Sequence, residues 1–429
     1  MNNHAILRNQ TIYQVYVRNY SKEGTFKALE KDLPRIKDLG VSILYLLPIH
    51  PIGEVSRKGI MGCPYSIKDY RAIAPELGTM EDFLHLVKKC HSMGLNVMMD
   101  IVFNHTSRDA ALTKEHPEWY VYKDGKLANR IGDWSDVADL KLELPEVQKY
   151  LIDTLVFWVK AGVDGFRCDV APLVPLTFWK EAVRVTGLLN PNLVWLSESV
   201  EPGFIKYLRS LGYTGQSDAE MYQAFDILYD YDVFPAFNDY LAKKGTLKDY
   251  LDKVAMQETL YPADYLKIHF LENHDQERIV SKVHSRNVLL NLTAWSFFQK
   301  GVGFIYAGQE TKNKHRPSLF DKEVIDLQVK DQAFYDFMKK LIEIKKMPIF
   351  KTATRFDILP AKAEDLIFAS LGMGAETLYG VFNLKPGKRT CTLTIPDGTY
   401  LNLLNQSKIK LENGRLTVLE PLLLVKTRN

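Results

Sequence analysis

Short apolar runs alternate with helix-period patterns eight times between Thr11 and Lys345, and few folds accept that rhythm. Strands separated by helix-length connections pair in parallel, because a tight turn is needed to bring the next strand back antiparallel. Strands are predicted at 11–20, 41–48, 96–102, 163–170, 193–199, 225–229, 265–273 and 302–307, and a helical pattern follows each one. Eight such units in series predict an α/β chain folded as a closed (β/α)8 TIM barrel. An open doubly wound sheet accepts the same rhythm and is the alternative.

Local signals mark the ends. Thr79, with Asp82 three residues on, fits a capping box, and Gly94 stops the helix that carries Phe83, Leu86, Val87 and Cys90 on one face. Phe26, Leu29, Leu33 and Ile36 share a face of the first helix, with Pro34 inside it as a candidate interruption. The stretch 105–142 is polar, irregular and too long for an ordinary connection, so a small insertion after strand three is expected. Past Met347 the period becomes that of strands, broken by Pro386-Gly387, Asp397-Gly398 and Asn413-Gly414. The predicted division is a barrel at 1–104 and 143–347, an insertion at 105–142, and a C-terminal antiparallel β-sandwich domain at 348–429.

Composition excludes several classes. Lys and Arg total 55 against 52 Asp and Glu, and a net charge of +3 gives no basic stripe for nucleic acid. Hydrophobic residues make up 46%, enough for a sizeable core. No apolar run is long enough for a membrane span, and Met1 to Gln10 carries no secretory pattern. Cys63, Cys90, Cys168 and Cys391 match no metal spacing, so free thiols and a cytoplasmic setting are expected. Aromatics at 11% are a generous share, suited to stacking on sugars or bases.

A parallel barrel places its chemistry at the C-terminal strand ends. Strand three ends in Asp100-Ile-Val-Phe-Asn104-His105, strand four in Gly165-Phe-Arg167-Cys-Asp169, strand five in Trp195-Leu-Ser-Glu198, and strand seven in Glu272-Asn-His274-Asp275. Arg167 and Asp169 are two apart and face the same side. Arg167 is therefore expected to lower the pKa of Asp169 and keep it ionised, as a nucleophile must be. With Glu198 and Asp275, Asp169 makes a set of three that suits glycosidic hydrolysis, in which one carboxylate attacks, one kept protonated is the general acid and the third stabilises the cationic transition state. A divalent metal in a barrel lyase or hydrolase is the rival reading, and the adjacent Arg167 argues against it. Glu201 competes with Glu198 but falls beside Pro202-Gly203 in a predicted loop. Glu272 competes with Asp275, and strand alternation puts these two on opposite sides.

These four segments, in this order, resemble the signature regions of the α-amylase family, glycoside hydrolase family 13. Gly62-Cys-Pro-Tyr65-Ser-Ile-Lys-Asp69-Tyr70 resembles its second-strand loop, and Gly303-Phe-Ile-Tyr306-Ala-Gly-Gln309-Glu310 its eighth-strand end. The resemblance implies that Asp169 is the nucleophile, Glu198 the acid/base and Asp275 the transition-state stabiliser. It implies that Arg167 orients the nucleophile, that His105 and His274 hydrogen-bond the sugar, and that Tyr65 is the platform beneath it. Asp100 and Asn104 match positions that mostly buttress the site, Asp100 with a direct sugar contact as the lesser alternative. Trp134 is a candidate for either sugar stacking or local packing. The sequence departs from the family where Pro172-Leu173 replaces a Lys-His pair after the nucleophile, a pair that serves the leaving-side sugar and a calcium site. No cofactor is expected to be required. A structural calcium is left open, with Asn104 as one ligand and Asp133, Asp136 and Asp139 as others.

The activity so implied is retaining hydrolysis of α-1,4 bonds in maltodextrins, with an oligosaccharide as substrate and no nucleic-acid or membrane partner. A 4-α-glucanotransferase, an α-glucosidase and a sucrose phosphorylase-like enzyme are alternatives within the family. A carbohydrate-binding homologue without activity is the alternative outside enzymes. The sequence does not determine the oligomeric state.

Overall fold

A computed structural model describes residues 4–131 and 134–427. Eight parallel strands close into a barrel: β1 (Thr11–Val15), β2 (Ile43–Leu46), β3 (Asn96–Ile101), β4 (Gly165–Cys168), β5 (Val194–Ser197), β6 (Ile227–Tyr229), β7 (Lys267–His269) and β8 (Gly301–Tyr306). The helices that follow them are α1 (Phe26–Leu39), α2 (Met80–Ser92), α3 (Pro145–Lys160), α4 (Leu176–Gly187), α5 (Pro202–Ser210), α6 (Leu247–Leu260), α7 (Arg286–Phe298) and α8 (Gln332–Lys345). The neighbour order β1-β8-β7-β6-β5-β4-β3-β2 is that of a closed barrel and excludes the open sheet.

The strands are shorter than their apolar runs. The predicted first strand, 11–20, stops at Val15, and Val17–Tyr20 turns into a short helix whose residues are all buried. Burial alone therefore misled the boundary, since a buried turn reads like a buried strand. The seventh strand stops at His269, so Glu272 and Asp275 lie in the loop beyond it and strand alternation does not govern them. Glu201 is exposed at the end of the loop 198–201, as expected, and is the N-cap residue of α5, whose first turn contains Pro202 and Gly203. Pro34 does not interrupt α1, because Phe26, Leu29, Leu33, Ile36 and Leu39 bury one continuous face that offsets a proline cost of ~3 kcal/mol. Thr79 and Asp82 form the capping box of α2.

The chain divides into two compact units, one of residues 13–229 and 317–325, the other of residues 1–12, 230–316 and 326–429. In the first, register sets the chemistry: Asp100 pairs with Arg167, and Cys168 with Ser197, across β3, β4 and β5. The stretch after β3 is less irregular than its sequence. His105–Ser107 pairs antiparallel with Val137–Asp139, and Tyr122–Lys123 with Lys126–Leu127. In the second unit, a six-stranded antiparallel sheet spans Arg355–Ile358 to Leu422–Lys426, and Arg389–Thr392 pairs separately with Arg415–Val418. Leu366, Phe368, Val381 and Leu424 from the larger sheet share a core with Cys391 and Val418 from the smaller. Among the described residues, no helix is long and apolar enough to cross a membrane.

His50, just past β2, shows how the interior handles a titratable ring. It stands 5.5 Å from the Trp158 ring and its Nδ1 lies 3.1 Å from the Ala72 carbonyl. Burial pushes its pKa from 6.5 down to about 4. A histidine held neutral by the fold gives stability that is fully present above its unfolded pKa and is lost as pH falls toward the folded one. We expect His50→Gln to lose less stability than the parent between pH 7 and pH 4, by ~3 kcal/mol. Urea unfolding midpoints at the two pH values measure this, and equal losses in both proteins would contradict it.

Candidate active site

The first unit gathers three carboxylates around one guanidinium. The Asp169 amide donates to the Ile101 carbonyl at 2.9 Å, and the Glu198 amide to the Cys168 carbonyl at 3.0 Å. These bonds extend the barrel ladder by one rung and fix where the two side chains start. Arg167 Nη1 donates to Asp100 Oδ1 at 2.9 Å, Asp100 Oδ2 at 3.1 Å and Asp169 Oδ1 at 2.9 Å. Its Nη2 forms an ion pair with Glu198 Oε1 at 2.6 Å. The hydroxyls of Tyr45 and Tyr65 both donate to Asp100 Oδ2, at 2.7 and 2.9 Å.

Exposure separates roles within this cluster. Arg167 and Asp100 are 0% exposed, whereas Asp169 and Glu198 each retain 8%. The Asp100 oxygens are occupied by Arg167, Tyr45 and Tyr65, the surroundings a buttress would have. Arg167 likewise reaches carboxylates rather than the surface, its Cζ lying 5.5 Å from the Tyr65 ring centre and 5.6 Å from that of Tyr229. Tyr65 is half-buried, with a face against the guanidinium and its hydroxyl on Asp100.

The electrostatics overturn one expectation. Asp169 is not held below the usual carboxylate range; its pKa is raised well above it, by burial first and by the Glu198 charge second, and Arg167 only partly offsets these. Asp100 is pushed up to about 6, chiefly by burial, despite Arg167. One guanidinium cannot neutralise three buried carboxylates, so the cluster favours retention of a proton.

Val170 completes the arrangement. Its amide donates to Glu198 Oε2 at 2.7 Å, and its backbone sits at φ 35°, ψ 43°. A β-branched residue in the left-handed region is strained by roughly 1–3 kcal/mol, the kind of cost found where geometry serves a site.

His105 and Trp134 also lie in this unit. His105 is buried; burial lowers its pKa to about 4, so the ring is neutral at pH 7. The half-buried Trp134 ring is 5.5 Å from His105 and packs against Leu173, Ile205 and Leu208, with Ile131, Val170 and Phe204 around them. Trp134 thus makes local packing contacts next to the histidine.

The second unit carries the seventh-strand residues. His274 is 2% exposed and its Nε2 lies 3.1 Å from Asp275 Oδ2. Asn273 Oδ1 accepts from the amides of Asp275 at 2.8 Å and Gln276 at 3.0 Å, and Arg316 donates to the Asp275 carbonyl at 2.7 Å. Glu272 is fully buried, bound by Arg278 Nη1 and the Ile279 amide, each at 2.7 Å. The Asp275 side chain is 39% exposed. Of the two rivals, Asp275 is the one open to a ligand.

The residues proposed for calcium do not fit that ion. Asn104 donates from Nδ2 to Asp139 Oδ1 at 3.2 Å and accepts on Oδ1 from Arg130 Nη1 at 3.4 Å. Asp139 Oδ2 accepts from the Arg130 amide at 2.8 Å, and burial raises its carboxyl to about 6. Asp136 is paired with Lys58 at 2.9 Å. Asp133 lies outside the described residues. An oxygen cage of six to eight ligands cannot form where a guanidinium holds the donors. Among the described residues, no group of three acidic, His or Cys side chains is arranged to hold a metal.

Sequence reasoning missed Tyr45, the Val170 amide and Arg130. Only Tyr45 left a signal: a lone hydroxyl inside the apolar run 41–48 needs a buried partner.

Comparison with known proteins agrees with the geometry. The family model described as alpha amylase, catalytic domain, matches residues 10–342, and that for the bacterial alpha amylase C-terminal domain matches residues 358–422. A solved alpha-amylase from Lactobacillus plantarum is 44% identical, with a TM-score of 0.93 over 99% of this chain and 100% of that one. A maltogenic alpha-amylase from Thermotoga neapolitana is 34% identical, with a TM-score of 0.89 over 100% of both chains. An alpha-1,4-glucan:maltose-1-phosphate maltosyltransferase from Cereibacter sphaeroides is 31% identical over 299 residues, 64% of this chain. The chain spans only 47%, 42% and 38% of the length of the first three curated relatives it matches.

Proposed function

Because the chain belongs to the α-amylase family, whose members are glycoside hydrolases and transferases, we propose that it is a retaining hydrolase of α-1,4 bonds in maltodextrins. The observation that carries this reading is the pair of carboxylates, Asp169 and Glu198, held on the two terminal nitrogens of Arg167. Carboxylates held on one guanidinium stay close together. That suits the separation of ~5 Å that lets one attack and the other protonate, better than the ~6.5–9.5 Å an inverting enzyme uses to admit water.

In this mechanism Asp169 attacks the anomeric carbon while Glu198 gives its proton to the leaving oxygen. Asp169 is assigned the attack and Glu198 the proton transfer. The Val170 amide keeps the Glu198 carboxylate turned toward its task. The glycosyl ester on Asp169 is next opened by water, which Glu198 deprotonates, so the product keeps the α configuration. Asp275 is assigned the stabilisation of the oxocarbenium-like transition state. His105, neutral at pH 7, and His274 are assigned to the sugar hydroxyls, and Tyr65 to its face. A near-neutral chain suits a neutral glucan. The four free cysteines fit a reducing compartment, and we place the reaction in the cytoplasm.

The test is the product spectrum from maltoheptaose, with and without phosphate, together with the anomer first released. Shorter maltooligosaccharides with new reducing ends in the α form are expected. Longer products without new reducing ends would make the enzyme a glucanotransferase, and glucose 1-phosphate would make it a phosphorylase. Initial β product would end the retaining mechanism.

A further inference from the structure

Three chain segments meet at Arg130. Nη2 donates to the Leu140 carbonyl at 3.1 Å, while Nη1 lies 3.4 Å from both Asn104 Oδ1 and Asp139 Oδ2. Asn104 closes the end of β3. Asp139 and Leu140 close the antiparallel pair that Val137–Asp139 makes with His105–Ser107. The Leu140 amide returns a bond to the Asn104 carbonyl at 3.0 Å, and the Asp139 amide donates to the Ala128 carbonyl at 2.9 Å. Asp139 has 0% side-chain exposure and the Arg130 side chain 19%. A buried carboxylate needs a positive partner and filled lone pairs; Arg130 supplies the charge and two donors to Asp139 Oδ2, and Asn104 donates to Oδ1.

We propose that the Arg130 guanidinium is the built-in cation of this junction, occupying the place for which the sequence left a calcium ion open, so that this chain takes no divalent ion there. Chemistry favours the exchange. A guanidinium is charged at every physiological pH and presents donors in a fixed plane, so it can serve a carboxylate, a carboxamide and a carbonyl together. Each of these oxygens would otherwise be a hard ligand for calcium. The junction then closes independently of free metal, and it holds His105 in place, since Asn104 Nδ2 lies 3.2 Å from His105 Nδ1.

Thermal unfolding of the full chain tests this in EDTA and in millimolar calcium chloride. The parent is expected to melt within about 1 °C in the two conditions. Arg130→Met is expected to melt at least about 4 °C lower in EDTA, as for loss of one partner of a buried pair. Arg130→Lys, which keeps the charge but not the fork, is expected between the two. Amide exchange in Arg130→Met should quicken at 105–107 and 137–140 before it does elsewhere. A parent protein that loses several degrees in EDTA and regains them with calcium would overturn the proposal. So would Arg130→Met melting like the parent, or Arg130→Lys melting no higher than Arg130→Met. If Arg130→Met does not fold, the parent melts in EDTA and calcium still decide.

Discussion

Asp169→Asn is expected to lower kcat on maltoheptaose at least about 10⁴-fold while raising thermal stability. The rate loss follows from removing the nucleophile, since acting residues of a covalent mechanism each carry most of the rate enhancement. The stability gain follows from the pKa direction. A carboxylate whose folded pKa lies above its unfolded one costs stability once the unfolded chain can ionise, and the cost grows as pH rises toward the folded value. Asp169 is such a group, raised by burial and by Glu198. Asn has the same shape and no charge, so the melting temperature should rise more at pH 8 than at pH 5. Turnover within tenfold of the parent would remove Asp169 from the nucleophile role. A lower melting temperature at pH 8 would show instead that Arg167 outweighs burial.

Arg167→Met is expected to destabilise the protein by ~3–5 kcal/mol at neutral pH and to abolish turnover. The side chain is wholly buried and is the shared partner of Asp100, Asp169 and Glu198. Removing it leaves three carboxylates without their cation, which the protein can relieve only by taking up protons. The loss should therefore shrink as pH falls toward about 6, the value to which burial already pushes Asp100 with Arg167 in place. Arg167→Lys should recover part of the stability and little of the activity, because a point charge cannot bond all three carboxylates at once. Urea unfolding of both variants between pH 5 and pH 8 measures this. An Arg167→Met protein within about 1 kcal/mol of the parent at pH 7.5 would mean the carboxylates are held by something else.

The two predictions draw differently on sequence. That Asp169 and Glu198 close consecutive strands was legible from the apolar runs before them and from their order along the chain. That Asp169 binds a proton more tightly than a free carboxylate was not. A pKa responds to surroundings, and here those are burial in the barrel mouth and the charges of Glu198 and Asp100, which come from different strands. Reading Arg167 as a simple pKa-lowering neighbour counted the one adjacent charge and missed the two distant ones.

The insertion illustrates the same divide. Its place after β3 was legible from the break in periodicity, and its polar composition made its own strands invisible. Asn104, Asp136 and Asp139 looked like oxygen ligands because sequence shows residue types without their partners. The fold instead assigns Arg130 to Asn104 and Asp139, and Lys58 to Asp136.

By itself, then, the sequence determined the barrel, the C-terminal β domain and the strand-end carboxylates, because periodicity and turn residues are local and survive in one dimension. Tertiary structure alone decided which carboxylates share Arg167, that Asp100 is sealed, that Asp169 is raised, and that a guanidinium closes the insertion. Burial and charge pairing act between segments far apart in the chain, and only the closed barrel brings those segments together.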